Sequence, residues 1–101
     1  MEDIVIAQVE GATVLYFNIL ENWDSFEIIV NQLKKDFSAS VIARVDGPES
    51  KFCKMLIGTA NMTVLNDPYG NELRADNKDG DKLLHEIFEK WRGSSGTFPT
   101  Q

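Results

Sequence analysis

Several residue types that build common functional sites are scarce in this chain of 101 residues. Cys53 is the single cysteine, which excludes an intramolecular disulfide and fits a reducing compartment. His85 is the single histidine and has no second histidine or cysteine at ligand spacing, so we expect neither a catalytic acid–base pair nor a metal site. No apolar run approaches the roughly 20 residues of a membrane span, and the Met-Glu-Asp start has the wrong charge for a signal peptide. We therefore expect a cytoplasmic protein without a cofactor.

Basic residues are absent from the first 33 positions, where six acidic residues carry the whole net charge of −6. The other ten acids are balanced by the ten bases of the remaining chain. Such a one-sided field attracts basic proteins and repels nucleic acid and anionic membranes. Nucleic-acid binding would also need a basic stripe to release counterions, and the sequence has none. We expect a basic protein as partner, and neither nucleic acid nor membrane.

Two segments have the apolar periodicity of amphipathic helices. In 24–37 the apolar residues recur at helical spacing, and Asp24 with Glu27 three positions later is typical of a capping box. The second helix is predicted over 81–92, where Gly93 follows as a natural stop. The polar residues 94–101 are predicted to be a flexible tail.

The remaining apolar runs alternate or are rich in β-branched residues, and turn residues separate them. Gly11 predicts a tight turn between the first two runs, and Asn-Asp-Pro-Tyr-Gly-Asn at 66–71 predicts another. The predicted order is ββαββββα, an α+β fold with one antiparallel sheet of five to six strands and two helices on one face. We expect a single domain over 1–93, with strands at 4–9, 13–19, 40–45, 51–57, 61–65 and 72–75.

The acid-rich segment 76–81 superficially suggests calcium, but the calcium-loop register fails. Placing Gly80 at the sixth position puts Ala75 at the first, where a carboxylate is required. Capping of the second helix by Asp79 or Asp81 is the favoured use of these acids. Cys53 follows an apolar residue in a strand pattern and is expected to be buried rather than nucleophilic.

The segment 65–73, Leu-Asn-Asp-Pro-Tyr-Gly-Asn-Glu-Leu, resembles the Asp-Pro-x-Gly-Asn turn of glyoxalase-like (vicinal-oxygen-chelate) proteins. That family usually carries a metal-binding Glu three residues after the Asn, whereas this chain has Arg74 there, which binds no cation. The resemblance implies a structural turn, or a small-molecule-binding module without metal catalysis.

In size, acidity and α+β architecture the chain is similar to bacterial immunity proteins of toxin–immunity pairs, including those of contact-dependent inhibition systems. The resemblance implies no enzymatic activity but a non-catalytic inhibitor that docks a basic toxin, such as a nuclease, in the cytoplasm. Acidic residues of the first third would supply charge complementarity, with an aromatic residue as the apolar anchor. The candidate partner-binding residues are Glu10, Tyr16, Glu21, Trp23, Asp24 and Glu27.

Other interpretations stay open at this point. Helix-end charge explains Asp24 and Glu27 as well as docking does. Tyr16 and Phe17 point to opposite faces of one strand, so one of them faces away from the helices. An open sheet face with an aromatic residue would also suit a homodimer. A glyoxalase-like ligand-binding module or a self-associating accessory domain are the alternatives to an inhibitor.

Overall fold

The structure is a computed structural model, and it describes residues 4–18, 25–68 and 70–92. Six strands and two helices follow one another in the order ββαββββα, which confirms the predicted α+β fold. The elements are β1 (Ile4–Val9), β2 (Ala12–Phe17), α1 (Ser25–Phe37), β3 (Ser40–Asp46), β4 (Lys51–Ile57), β5 (Ala60–Asp67), β6 (Gly70–Ala75) and α2 (Lys78–Arg92).

The strands form one antiparallel sheet in the order β1-β2-β6-β5-β4-β3. The β1–β2 hairpin turns on Glu10 and Gly11, which both have positive φ, 51° and 83°. Positive φ at both central residues matches the twist of a two-residue hairpin, and Gly11 adopts it without steric cost. In this order β1 and β3 are the two edge strands. Residues near β1 are therefore separated from residues near β3 by the full width of the sheet.

The core lies between one face of the sheet and both helices. One row of this face runs through Ile6, Leu15, Leu73, Val64 and Cys53, each paired with the next in register. These residues cluster with buried residues from both helices, so α1 and α2 cover the same face, as predicted. Burial of this surface is the main stabilising contribution to a fold of this size.

Helix α1 presents one apolar stripe to the sheet. Phe26, Ile29, Val30 and Leu33 have no exposed surface, in agreement with the predicted helical spacing. After Phe37 the chain leaves the helix through Ser38, which has a φ of 57° and donates its N–H to the Lys34 carbonyl at 3.1 Å. The predicted cap, Asp24, lies outside the described residues.

Helix α2 begins three residues before the predicted start, and its cap is Asn77 rather than Asp79 or Asp81. The Asn77 Oδ1 atom accepts the Gly80 N–H at 2.7 Å, which satisfies a free donor of the first turn. The same oxygen accepts the Asn61 N–H at 3.0 Å, so the cap also attaches the helix to β5. The two aspartates accept hydrogen bonds from other segments instead. Asp79 accepts from the Thr59 hydroxyl of the β4–β5 turn at 2.5 Å, and Asp81 accepts from the Thr13 N–H of β2 at 2.8 Å.

Candidate protein-docking face

The sheet face opposite the helices carries a continuous row of side chains across all six strands. Residues alternate between the two faces of a strand, so the neighbours of the core residues in sequence point to this open face. Strand register places each member of the row beside the next. We call this row the open-face stripe; it consists of Val5, Tyr16, Glu72, Leu65, Phe52 and Val45.

The stripe is apolar at every position except Glu72. Tyr16, Leu65 and Phe52 are half-buried, whereas Val45 at the edge is 50% exposed. None of the six residues belongs to the core cluster between the sheet and the helices. Phe17 is buried in that core, so Tyr16 is the aromatic residue of β2 that faces away from the helices. This agrees with the expectation that one of these two adjacent residues faces away from them.

A more polar row lies beside the stripe. Thr63 donates its hydroxyl to Asp76 at 2.6 Å, and Arg74 lies 3.4 Å from Glu72, which brings an ion pair onto the stripe itself. Lys54 is exposed and pairs in register with Thr63. The open face therefore combines a central apolar surface with a charged rim, which is the usual anatomy of a protein interface.

A small pocket of about 90 Å³ opens next to the stripe. Its lining includes the aromatic residues Tyr16 and Phe17 and the two acidic residues Asp67 and Glu72. An aromatic ring beside carboxylates is the environment that favours a cationic side chain.

The structure describes three of the predicted partner-binding residues, Glu10, Tyr16 and Glu27, and these three lie on different surfaces. Glu10 lies on the exposed β1–β2 turn, Tyr16 lies on the open face, and Glu27 lies on α1, which packs on the other face. Glu10 adjoins the β1 edge, and Glu27 bonds Arg44 at the β3 edge, so the width of the sheet separates them. Glu21, Trp23 and Asp24 lie outside the described residues.

Glu27 is neutralised by a base that the sequence places 17 positions away. The Arg44 guanidinium bonds Glu27, and its Nε atom donates to Asp46 Oδ1 at 2.8 Å. The hydrogen bond to Asp46, followed by that to Glu27, raises the pKa of Arg44, and the same Arg44 contact lowers the pKa of Asp46. Glu27 therefore serves an ion pair between α1 and β3, where it is half-exposed.

Five of the six stripe members are absent from the predicted set: Val5, Glu72, Leu65, Phe52 and Val45. For Phe52 a signal exists in the sequence, because Phe52 and Cys53 are adjacent in a strand and only one of them can face the core. Deciding which one required the position of the helices. The exposure of Val45 could not be predicted without the strand order, because no feature of the neighbouring sequence shows that β3 is an edge strand.

Cys53 and His85, the single cysteine and the single histidine, both lie outside the open-face stripe. Cys53 has no exposed surface, and burial raises the pKa of its thiol, so it is a core residue as expected. His85 is exposed on α2. In the described ranges no group of three or more histidine, cysteine, aspartate or glutamate side chains could hold a metal ion.

The turn that resembles the glyoxalase-like motif closes the β5–β6 hairpin. Asn66 and Asn71 face each other across it, and the Asn66 Nδ2 atom donates to Asn71 Oδ1 at 2.7 Å. Both side chains are buried, and Asn66 Oδ1 accepts no hydrogen bond. Arg74, at the position where that family carries a metal-binding Glu, lies on the opposite face and is exposed.

Known proteins give no lead on this chain: no protein-family model, curated protein or solved structure matches it. Within the part of the chain that the structure describes, neither helix is long and apolar enough to cross a membrane.

Proposed function

We propose that this chain is an acidic, non-enzymatic binding protein that docks a basic protein through its open sheet face and inhibits it. In this proposal it acts as bacterial immunity proteins act on their cognate toxins, inside the cytoplasm. The observation that carries the proposal is the open-face stripe, which neither helix covers. Aromatic side chains in the centre of such a surface are the usual anchors of protein–protein binding.

Charge supports a basic partner. The chain has a net charge of −6, and the pocket beside the stripe is lined by Asp67 and Glu72 as well as Tyr16. An acidic field accelerates encounter with a basic surface, while the apolar stripe supplies the area that is removed from water on binding. The acids of residues 1–33 other than Glu27, which Arg44 pairs with, add to the negative charge of the chain.

The experiment is a capture from the native host lysate followed by an inhibition assay. The tagged chain is washed at low and high salt, the eluate is identified by mass spectrometry, and the captured protein is purified and assayed with and without the chain. We expect one basic protein in stoichiometric amount, weaker retention at high salt, and loss of that protein's activity on binding.

Two substitutions locate the contact. Tyr16→Lys and Phe52→Lys each place a cation in the stripe, and both are expected to lower affinity at least tenfold. Asn31→Lys adds the same charge at an exposed position of α1, on the covered side of the sheet, and is the matched control. Circular dichroism checks that all three variants are folded.

Equal affinity of the three variants would show that the open face does not contact the partner. A captured protein whose activity is unaffected by the chain would refute inhibition. Capture of no protein under either wash would favour the ligand-binding or self-associating alternative.

A further inference from the structure

Strand β3 is the most exposed element of the sheet. All seven of its residues are exposed, and among the described strands it pairs with β4 alone. The exposed large hydrophobic residues of the described chain are Val41, Ile42 and Val45, all on this strand, with exposed fractions of 41%, 57% and 50%. The other edge, β1, contains the buried Ile4 and contacts α2. Bare apolar edges of this kind pair with further strands.

The hydrogen bonds of the β3–β4 connection show which backbone groups of β3 are free to pair. The Gly47 N–H donates to the Ser50 carbonyl at 2.8 Å, so 47 and 50 form a hydrogen-bonded pair. Hydrogen-bonded and non-bonded pairs alternate along an antiparallel ladder, so Val45 bonds inward to Phe52. The N–H and C=O groups of Arg44 and Asp46 therefore point outward, away from β4.

These outward groups allow three registers in which β3 pairs antiparallel with β3 of a second copy about a two-fold axis. In two of them Arg44 lies opposite Arg44, or Asp46 opposite Asp46, and like charges directly opposite are destabilising. In the third, Arg44 of each copy lies opposite Asp46 of the other, twice across the axis. This register is the self-complementary one, as an isologous contact requires.

We propose that two copies of this chain pair through β3 in that register and form a continuous twelve-stranded sheet. The pairing covers 43–47 and ends at the β-bulge between Val41 and Ala43, where the register shifts. It places Val45 beside Val45 of the second copy on the open face, so the open-face stripes of the two copies join into one. Because the paired segment is short, the dimer dissociates on dilution. The proposal does not depend on the inhibitor function, since it concerns the isolated chain.

Disulfide trapping tests the register directly. Val45→Cys places two thiols at a non-hydrogen-bonded antiparallel pair, where the Cα atoms lie about 4.5 Å apart and a disulfide can form. Ala43→Cys is the matched control, because Ala43 is also exposed on the open face. In the proposed register Ala43 lies opposite residue 47 of the second copy, four residues from the second Ala43. The two cysteines would therefore be about 14 Å apart, beyond the reach of a disulfide. The native Cys53 is buried and does not interfere.

We expect mild oxidation to trap Val45→Cys as a covalent dimer and to leave Ala43→Cys monomeric. Sedimentation equilibrium of the unmodified chain over a hundredfold concentration range is expected to show a reversible monomer–dimer equilibrium. A monomer at every concentration would overturn the proposal. A dimer in which Ala43→Cys is trapped instead would show a different register, and a dimer in which neither variant is trapped would place the contact on another surface. Either result would overturn the proposal.

Charge exchange provides a second test. Asp46→Arg places an arginine opposite Arg44 of the other copy in both pairs. The repulsion between the two bases is expected to weaken the dimer at least tenfold. The double variant Arg44→Asp with Asp46→Arg restores opposite charges in the same register and is expected to recover dimerisation. Failure of the exchange to recover it, with the fold intact by circular dichroism, would exclude this register.

Discussion

The Trp91 indole N–H donates to Asp36 Oδ2 at 2.9 Å and thereby joins the last turn of α2 to the last turn of α1. Gln32 donates to the same oxygen at 2.9 Å. The indole ring also packs against Phe17 and Phe37, with centroids 6.0 Å away in both cases. One carboxylate thus holds the two helices together above the sheet.

Protonation of Asp36 is predicted to loosen this junction. The hydrogen bond from Gln32, and then that from Trp91, lowers the pKa of Asp36 below its ordinary value of 3.8. A lowered carboxyl pKa stabilises the fold above the unfolded pKa, and this stability is lost as the pH falls through the lower folded value. We therefore expect Asp36 to contribute at neutral pH and to cease contributing well below pH 4.

The variant Asp36→Asn tests this linkage. We expect it to lower the free energy of unfolding at neutral pH by about 1 kcal/mol, because a partly exposed hydrogen-bonded charge is screened by water. Urea unfolding is followed by Trp91 fluorescence in a Trp23→Phe background, which serves as the reference. An unchanged acid dependence between the variant and this reference would contradict the role of Asp36.

Truncation of Leu33 is predicted to be more damaging than truncation of Phe88. Leu33 has no exposed surface, so Leu33→Ala should cost about 2–5 kcal/mol in the free energy of unfolding. Phe88 is half-buried at the margin of the core, so Phe88→Ala should cost about 2 kcal/mol. Asn31→Ala, at an exposed site of α1, is the control and should change stability by less than about 0.5 kcal/mol. Equal melting temperatures for all three would refute the described helix faces.

Gly80 lies in the first turn of α2, where alanine would ordinarily be preferred. A Cβ atom at this position would overlap the Asn61 backbone oxygen and lie 3.1 Å from Asn77 Oδ1. Glycine-to-alanine exchange in a helix gains about 1 kcal/mol, but overlap with backbone costs about 1–3 kcal/mol. We expect Gly80→Ala to destabilise the protein by up to about 2 kcal/mol in chemical denaturation. Glu86→Ala, exposed on the same helix, is the control, and a stabilised Gly80→Ala variant would contradict the close approach.

Cys53 is predicted to react with thiol reagents only after the core opens. Its side chain has no exposed surface, and burial raises the pKa of the thiol, so little thiolate is present or accessible. Labelling of the native protein should be orders of magnitude slower than labelling in urea, at a rate set by unfolding. Asn31→Cys, at an exposed position of α1, supplies an accessible thiol in the same chain as a positive control. Comparable native rates at the two cysteines would show that Cys53 is accessible.

The elements themselves were predictable because their signals are local. The apolar spacing of α1 and the turn at Gly11 depend on neighbouring residues, and both are confirmed. The predicted start of α2 lies three residues too far along the chain, because the capping residue is Asn77. Three aspartates nearby are equally good caps on sequence grounds. The structure distinguishes them because Asn77 also bonds β5.

The candidate site was less predictable because it depends on strand order. The segment Ser-Val-Ile-Ala-Arg-Val of β3 has the composition of an interior strand, yet it lies at the bare edge of the sheet. Likewise, Glu27 and Arg44 meet only because α1 packs beside β3. For Tyr16 more could be predicted, because strand alternation alone requires that either Tyr16 or Phe17 faces away from the helices.

The pairing of β2 with β6 has a consequence for how the chain acquires its fold during synthesis. Val14 pairs with Arg74, so the N-terminal hairpin has no neighbouring strand until nearly the whole domain has left the ribosome. The hairpin of β1 and β2 and the meander of β3, β4 and β5 are separate pieces until β6 inserts between them. Pairing between segments so far apart in sequence slows folding. The pairing of β6 with β2 is therefore the step that commits the chain to its native state.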